Sequence, residues 1–449
     1  MNEDSPDSVL YPTLSDAGRR MLDFMREHAA APVYRNRSGN KLLEHEVHYL
    51  RAFENEVAHA KTGWRPGHMP EWVERHIADT YTSVPFYRRQ GSPPRRFADI
   101  APVSRADFAS DIAQFVPDHV DLERMINFRT TGTTGHPLLL ASHPVVAGSY
   151  LAFHKRALRR FGVELHHGAG QVGVALLGYQ RKCFTYVSVT PQMNESGLAK
   201  INLHPDDWRS PADRAVYIDA LAPEIIAGDP ISFGELLTLP LTCRPRALLS
   251  VSMLLLPGLR RQLEERFNCP VLDIYSLNEV GPVGVYDEGA GGHLLLQPRL
   301  YVEILDAAGQ PVAPGERGEI TLTGGFNFCL PLLRYRTGDQ GSLAFHPDGP
   351  VIVGLSGRSP VRFRTPHGDW INNIDVTHAL HPLAIPHFAF HQRADGSVIL
   401  RLAPGAMAQA QAATAALAQL FPGQPVGVEP LDAQDKTLQY TSDLAGAHT

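Results

Sequence analysis

Four short stretches of this chain bring together residue types that could do chemistry. Residues 126–137, INFRTTGTTGHP, set Thr130, Thr131, Thr133 and Thr134 around Gly132 and Gly135. Converging backbone N–H groups hold phosphate oxygens well, glycine lets them approach, and threonine hydroxyls add donors. His136 and Pro137 stand where a Walker A loop needs Gly-Lys-Ser/Thr, so that loop is excluded. Taken alone, a Gly/Thr run of this kind is a plain surface turn more often than a site. In DIYSLNEVGPVG, Asp273, Tyr275 and Glu279 follow an apolar strand and project at its C-terminal end, where α/β proteins hold ligands. Glu279 has no cationic neighbour in sequence, which suits a hard oxygen ligand for Mg2+ and equally an ordinary surface carboxylate. In CLPLLRYRTGDQGSL, Arg334, Arg336 and Asp339 are grouped around Gly338. Asp339 on a turn could accept both hydroxyls of a ribose, and a salt-bridged turn would look the same. Lys436, in DAQDKTLQYTSDL, is by itself a solvated charge and gains interest only from its company.

Something must position these stretches. The first 60 residues read as helical and surface-exposed, with apolar residues at three-and-four spacing in DAGRRMLDFMREHA and EHEVHYLRAFENEVAHA. MPEWVERHIADTYTSVPFYRRQ continues the helical pattern, and Pro102 and Ser104 mark a turn and a helix start. After residue 125 short apolar runs alternate with turns and longer helical patterns. RALLSVSM, PGLRRQLEERF and CPVLDIYS form a strand–helix–strand series, the signature of a βαβ unit in a mostly parallel sheet. RLYVEILDAAGQPVAPGERGEITLTG alternates as an antiparallel meander with AAGQ as a turn. A short strand-rich part follows from residue 357, then an Ala/Gln helix and a final polar tail. The fold class is therefore α/β: a large domain over residues 1–356, with 1–75 as a helical extension, and a small α+β domain over 357–449 that carries Lys436.

Bulk properties narrow the partners. At 449 residues the chain exceeds one ordinary core. A net charge of −6 supplies no field for nucleic acid or an anionic membrane. The most apolar window, ALLSVSMLLLPGL, is too short to span a bilayer and is broken by Pro257, so it reads as a buried strand and turn. The N-terminus lacks a secretory pattern, and a cytoplasmic location is expected. Cys183, Cys243, Cys269 and Cys329 are far apart and read as free thiols. The histidines are scattered, without H-E-x-x-H spacing.

In their order and spacing, these stretches resemble the adenylate-forming superfamily, and within it the phenylacetate-CoA ligase-like branch with its capsule-biosynthesis relatives. The branch's phosphate loop, roughly Ser/Thr-Ser-Gly-Thr-Thr-Gly-x-Pro, is matched from Thr130 to Pro137. Its Tyr-Gly-x-Thr-Glu motif is matched in part by Tyr275, Ser276, Leu277, Asn278 and Glu279. Its Arg-Tyr-Arg-Thr-Gly-Asp segment is intact from Arg334 to Asp339, and its Gly-Arg-Ser-Asp-Asp hinge is half kept, at Gly357, Arg358 and Ser359. TSVPFYRRQ, DIAPVSRADF and APEIIAGDPISFGELL extend the likeness over about residues 75–440.

The resemblance implies ATP-dependent activation of a small carboxylic acid as an acyl-adenylate, with CoA, an amine or a carrier-protein thiol as the acceptor. It implies that Thr130, Thr131, Gly132, Thr133, Thr134 and Gly135 hold the pyrophosphate end of ATP. Ser276 and Asn278 would lie beside the α-phosphate, Tyr275 would stack on adenine, and Glu279 would ligate Mg2+. Asp339 would grip the ribose, Arg358 would join the ribose or phosphate contacts, and Lys436 would bridge carboxylate and α-phosphate. Arg334 and Arg336 could instead be structural, holding the segment of Asp339. Departures are also present. Ser276 and Asn278 replace glycine and threonine, SVSM at 250–253 replaces Gly-Ala-Glu-Pro, and Pro360 and Val361 replace the acidic hinge. These leave open a non-CoA acceptor, an unusual oxyacid substrate, or a nucleotide-binding scaffold without turnover. Relatives often carry a Cys/His zinc site here. YDEGAGGH keeps His293 without a nearby cysteine, so no zinc is expected. A homodimer is one assembly open to the chain.

Overall fold

The computed structural model describes residues 7–447 apart from 62, 66, 130–137, 167, 169, 181–182, 253–254, 256, 357–360, 381–382, 384–387, 403 and 432–439. The chain divides into two compact units, one built from within Met1–Phe128, Leu140–Tyr179 and Phe184–Gly357, the other chiefly from within Arg358–Thr449. Among the described residues, thirteen strands of the first unit join in one mixed sheet.

The parallel half of that sheet runs Ser196–Asn202, Val172–Gly178, Ile225–Gly228, Ala247–Val251 and Val271–Leu277. Every residue of Ile225–Gly228 is buried, as expected of a central parallel strand covered on both faces. The expected βαβ unit is present: Ala247–Val251, the helix Pro257–Phe267 and Val271–Leu277, with Leu248 opposite Val271. Pro257 opens the helix, where its missing N–H costs nothing, rather than breaking a strand. The antiparallel half begins where Val271–Leu277 turns back into Gly281–Asp287. The expected meander is Leu300–Leu305 against Gly318–Gly324, which pairs in turn with Leu332–His346.

The N-terminal helices are not an exposed layer. The helix Asp16–Glu27, capped by Ser15, places Met21, Leu22 and Met25 in the core of the parallel sheet, and Leu22 and Met25 have no exposure. Its apolar stripe, about 100° wide, is what burial against a sheet requires. The helix Arg105–Ser110 starts at Ser104 as expected. Its first turn is closed by Asp107, which accepts from the Ser104 backbone N–H and hydroxyl, each at 2.7 Å. All four cysteines are free thiols, with Cys243 and Cys329 buried. Among the described residues, no helix is long and apolar enough to cross a membrane.

The second unit is α+β. Its four strands run in the order Val426–Pro430, Val398–Leu402, Phe388–Gln392, Tyr440–Ser442. Phe363, Phe388, Phe390, Leu417 and Phe421 form its core. The expected polar tail is instead partly built into this sheet: Tyr440–Ser442 pairs in parallel with Phe388–Gln392, and Tyr440 is buried. Tyr440 supplies an apolar ring that repays ordering the segment, which the surrounding charges conceal in the sequence.

Candidate active site

The site grows from the hairpin that joins the two halves of the sheet. Val271–Leu277 ends, residues 278–280 turn, and Gly281–Asp287 returns. Gly281 has φ +74°, and a Cβ there would lie 2.7 Å from the Phe326 ring, so only glycine closes this turn. Side chains from other elements clamp the hairpin. Tyr150 Oη donates to the Asn278 carbonyl at 3.3 Å. Gln297 Nε2 donates to the Val280 and Pro282 carbonyls at 2.7 and 2.8 Å. Gln297 is buried, so these bonds are made where water does not compete.

Glu279 lies in the turn, not at the strand end, and is only 4% exposed. It has no cation beside it in sequence, but it has one in space. Arg105 Nη1, from the helix Arg105–Ser110, lies 3.3 Å from Glu279 Oε1. Tyr335 Oη donates to the same oxygen at 3.0 Å. Tyr335 stands on Leu332–His346, and its ring stacks on Phe108 with centroids 5.0 Å apart. Burial first, and then the Glu279 charge, pushes the Tyr335 phenol well up, so it remains a donor. Burial and the same carboxylate raise Tyr150 too.

Asp339 occupies a distorted stretch of Leu332–His346 rather than a free turn. The register against Gly318–Gly324 shifts there, and Gly338 has φ +83°. The two arginines of the motif do not pair with it. Arg334, 1% exposed, donates to Glu303 through Nε at 3.1 Å and to the Ala98 and Ile100 carbonyls at 2.7 Å each. Arg336 binds Glu319 through Nε at 2.7 Å, and Glu319 Oε1 also accepts the Gly338 N–H at 3.0 Å. Both are structural and hold the segment that carries Asp339. Asp339 Oδ2 accepts instead from Tyr275 Oη at 2.8 Å. Tyr275 is 8% exposed, and burial followed by the Asp339 charge pushes its phenol well up.

Glu279 and Asp339 thus each accept from a tyrosine hydroxyl, Tyr335 and Tyr275, carried on two different strands. Asp273 does not enter this group: it turns to His293, with Nε2 to Oδ2 at 3.7 Å. Ser276 is partly buried and Asn278 exposed beside the turn. In the SVSM segment, the Ser250 hydroxyl is buried with no hydrogen-bond partner among the described residues. Thr130, Thr131, Gly132, Thr133, Thr134, Gly135, Arg358 and Lys436 lie outside the described residues. The strands Ile126–Arg129 and Leu139–Ser142 lie on either side of residues 130–137 in sequence. Tyr335 lies within the Arg-Tyr-Arg-Thr-Gly-Asp segment, so a signal for it is present in the sequence. Arg105 and Gln297 carry no local signal, because only the fold brings them to the hairpin.

No family model matches the chain. Over 297 residues it is 25% identical to the phenylacetate-coenzyme A ligase of Escherichia coli (strain K12), covering 60% of this chain and 64% of that one. Over 319 residues it is 27% identical to the Thermus thermophilus phenylacetate-coenzyme A ligase, covering 61% and 65%. The matches span a little under two thirds of the length of these relatives. In fold, it is similar to 2-hydroxyisobutyryl-CoA ligase in complex with 2-HIB-AMP and CoA in the thioesterification state. That likeness has a TM-score of 0.55 at 17% identity and covers 88% of this chain and 90% of the other. The open conformation of the same ligase matches with a TM-score of 0.50, covering 82% and 89%. In sequence the chain is thus similar to phenylacetate-coenzyme A ligases over about three fifths of its length, and in fold to 2-hydroxyisobutyryl-CoA ligase.

Proposed function

We propose that this protein activates a carboxylic acid with ATP as an acyl-adenylate, releasing pyrophosphate, and then passes the acyl group to coenzyme A. The observation that carries the reading is the buried pair Glu279–Tyr335 beside Tyr275–Asp339, in a fold shared with a ligase that holds an acyl-AMP and CoA. A carboxylate is a poor nucleophile toward ATP because two anions must meet. The protein must therefore neutralise charge at the α-phosphorus and hold the reactants in line.

Glu279 fits a hard cation. It is a buried oxygen donor whose Oε1 is fixed by Tyr335 and Arg105, while Oε2 lies outside those two bonds. Mg2+ held by Glu279 would supply neutralising charge at the ATP phosphates. Asp339, oriented by the Tyr275 hydroxyl, would accept from the ribose. The loop of Thr130, Thr131, Gly132, Thr133, Thr134 and Gly135 would donate backbone and hydroxyl hydrogens to the pyrophosphate end. Ser276 and Asn278 would border the α-phosphate and Tyr275 the adenine, with Arg358 adding a ribose or phosphate contact. Lys436 would place its ammonium between the acid's carboxylate and the α-phosphate.

Phenylacetate is the first acid to test, on the strength of the sequence relatives. The experiment is acid-dependent ATP–pyrophosphate exchange over aryl and aliphatic acids, followed by mass detection of the CoA thioester. Exchange with at least one acid is expected, and Lys436→Ala should abolish it while ATP still binds. ATP binding with no exchange for any acid would overturn adenylation. Exchange without a thioester would point to an amine or a carrier-protein thiol as acceptor.

A further inference from the structure

The chain carries a net charge of −6, yet arginines line one cavity of the first unit. It is a half-open cleft of about 450 Å³ between Arg26, Tyr34, Arg35, Asn36, Arg37 and Val187. Arg26 comes from the last turn of the helix Asp16–Glu27, and residues 34–37 from the extended segment beyond it. Val187 stands on Tyr186–Thr190, the edge strand of the large sheet. The N-terminal segment is fastened along that edge. Tyr11 Oη donates to the Val187 carbonyl at 3.1 Å, Asn40 donates to the Val189 carbonyl at 3.1 Å, and Asn36 Oδ1 accepts from the Thr185 N–H at 3.2 Å. The edge is thereby covered, and the cavity wall is fixed.

Asp7 shows what the arginines grip. Its carboxylate is held from both sides, with Oδ2 3.2 Å from Arg26 Nη1 and Oδ1 2.7 Å from Arg37 Nη2. Arg35 is oriented separately by the buried Asp207, through Nε at 3.1 Å and Nη2 at 2.9 Å. Among the described residues, three guanidinium ions stand against these two carboxylates, an excess of positive charge. A guanidinium carries five N–H donors, and these contacts use only one or two of each. The planar fork suits phosphate oxygens, and bonds between ionised partners are about twice as strong as neutral ones. The volume exceeds what one phosphoryl group needs and falls in the range of small-molecule sites, with Tyr34 and Val187 available to an organic part.

We propose that this cavity binds a small organic phosphate, and that Asp7 occupies its anion position as a tethered competitor. The site is independent of the ligase reading. Ribose 5-phosphate and inorganic phosphate serve as probes, titrated calorimetrically into the full chain and into R26Q, R37Q and D7N. We expect the ester to bind more tightly than inorganic phosphate, and more weakly as salt rises, because the arginines are partly exposed. R26Q and R37Q should each weaken it by about tenfold or more, the loss of one bond between ionised groups. D7N, an isosteric change, should tighten it by removing the competitor, a gain that no loss of folding could mimic. Equal binding to all three variants, no gain in D7N, or inorganic phosphate binding as tightly as the ester would each overturn the proposal.

Discussion

Replacing Tyr335 by phenylalanine removes one oxygen from the candidate site and little else. The ring keeps its place on Phe108, because the stack at 5.0 Å and 1° does not involve the hydroxyl. What disappears is the 3.0 Å bond to Glu279 Oε1, made by a residue 2% exposed. A hydrogen bond to a charged acceptor contributes about 1.5–3 kcal/mol, or roughly 10- to 150-fold if all of it orients Glu279. Arg105 still holds the same oxygen, so the lower end is expected: about a tenfold fall in ATP–pyrophosphate exchange, largest at limiting Mg2+. The assay is exchange across a Mg2+ series, with thermal unfolding run beside it. In a Glu279→Gln background the same change should have no further effect, since the two residues act through one bond. Tyr335→Phe exchanging at the wild-type rate at every Mg2+ concentration, while Glu279→Gln is inactive, would refute the positioning of Glu279 by Tyr335.

Two further outcomes concern stability. Arg334→Met leaves Glu303 buried without its cation and should cost about 3–5 kcal/mol in urea unfolding. Adding Glu303→Leu should recover much of that loss, because burial already pushes the Glu303 carboxyl up and disfavours its charge. Burial also holds His154 down to about 4, against an ordinary value of 6.5. Between those values the native state binds fewer protons than the unfolded chain. Its contribution is therefore complete above pH 6.5 and is lost as pH falls toward 4. Urea titrations at pH 7 and pH 5 should show His154→Gln losing roughly 2 kcal/mol less than wild type over that interval.

Local composition was enough to locate the βαβ unit, the antiparallel meander and the small second unit, because periodicity and turn residues act over a few positions. It also singles out Glu279 and Asp339 as candidates, since motif spacing is legible without knowledge of contacts. Exposure is not legible for the helix Asp16–Glu27, whose charged face is plain in sequence while the strand Val172–Gly178 that it packs near begins about 150 positions later. The place of Tyr440–Ser442 is hidden for the same reason, because Tyr440 finds its partner strand at Phe388–Gln392.

The charge logic of the site was decided only in three dimensions. Sequence shows three charged residues around Gly338 and none beside Glu279. Folding sends Arg334 to Glu303 and Arg336 to Glu319, and it brings Arg105 to Glu279 from 174 positions away. A buried ion needs a partner wherever the chain can supply one, so pairing follows the topology of the sheet rather than distance along the chain. The sequence by itself determined which side chains were available for the chemistry. Tertiary structure decided which of them became supports, and set a tyrosine hydroxyl against Asp339 and a tyrosine and an arginine against Glu279.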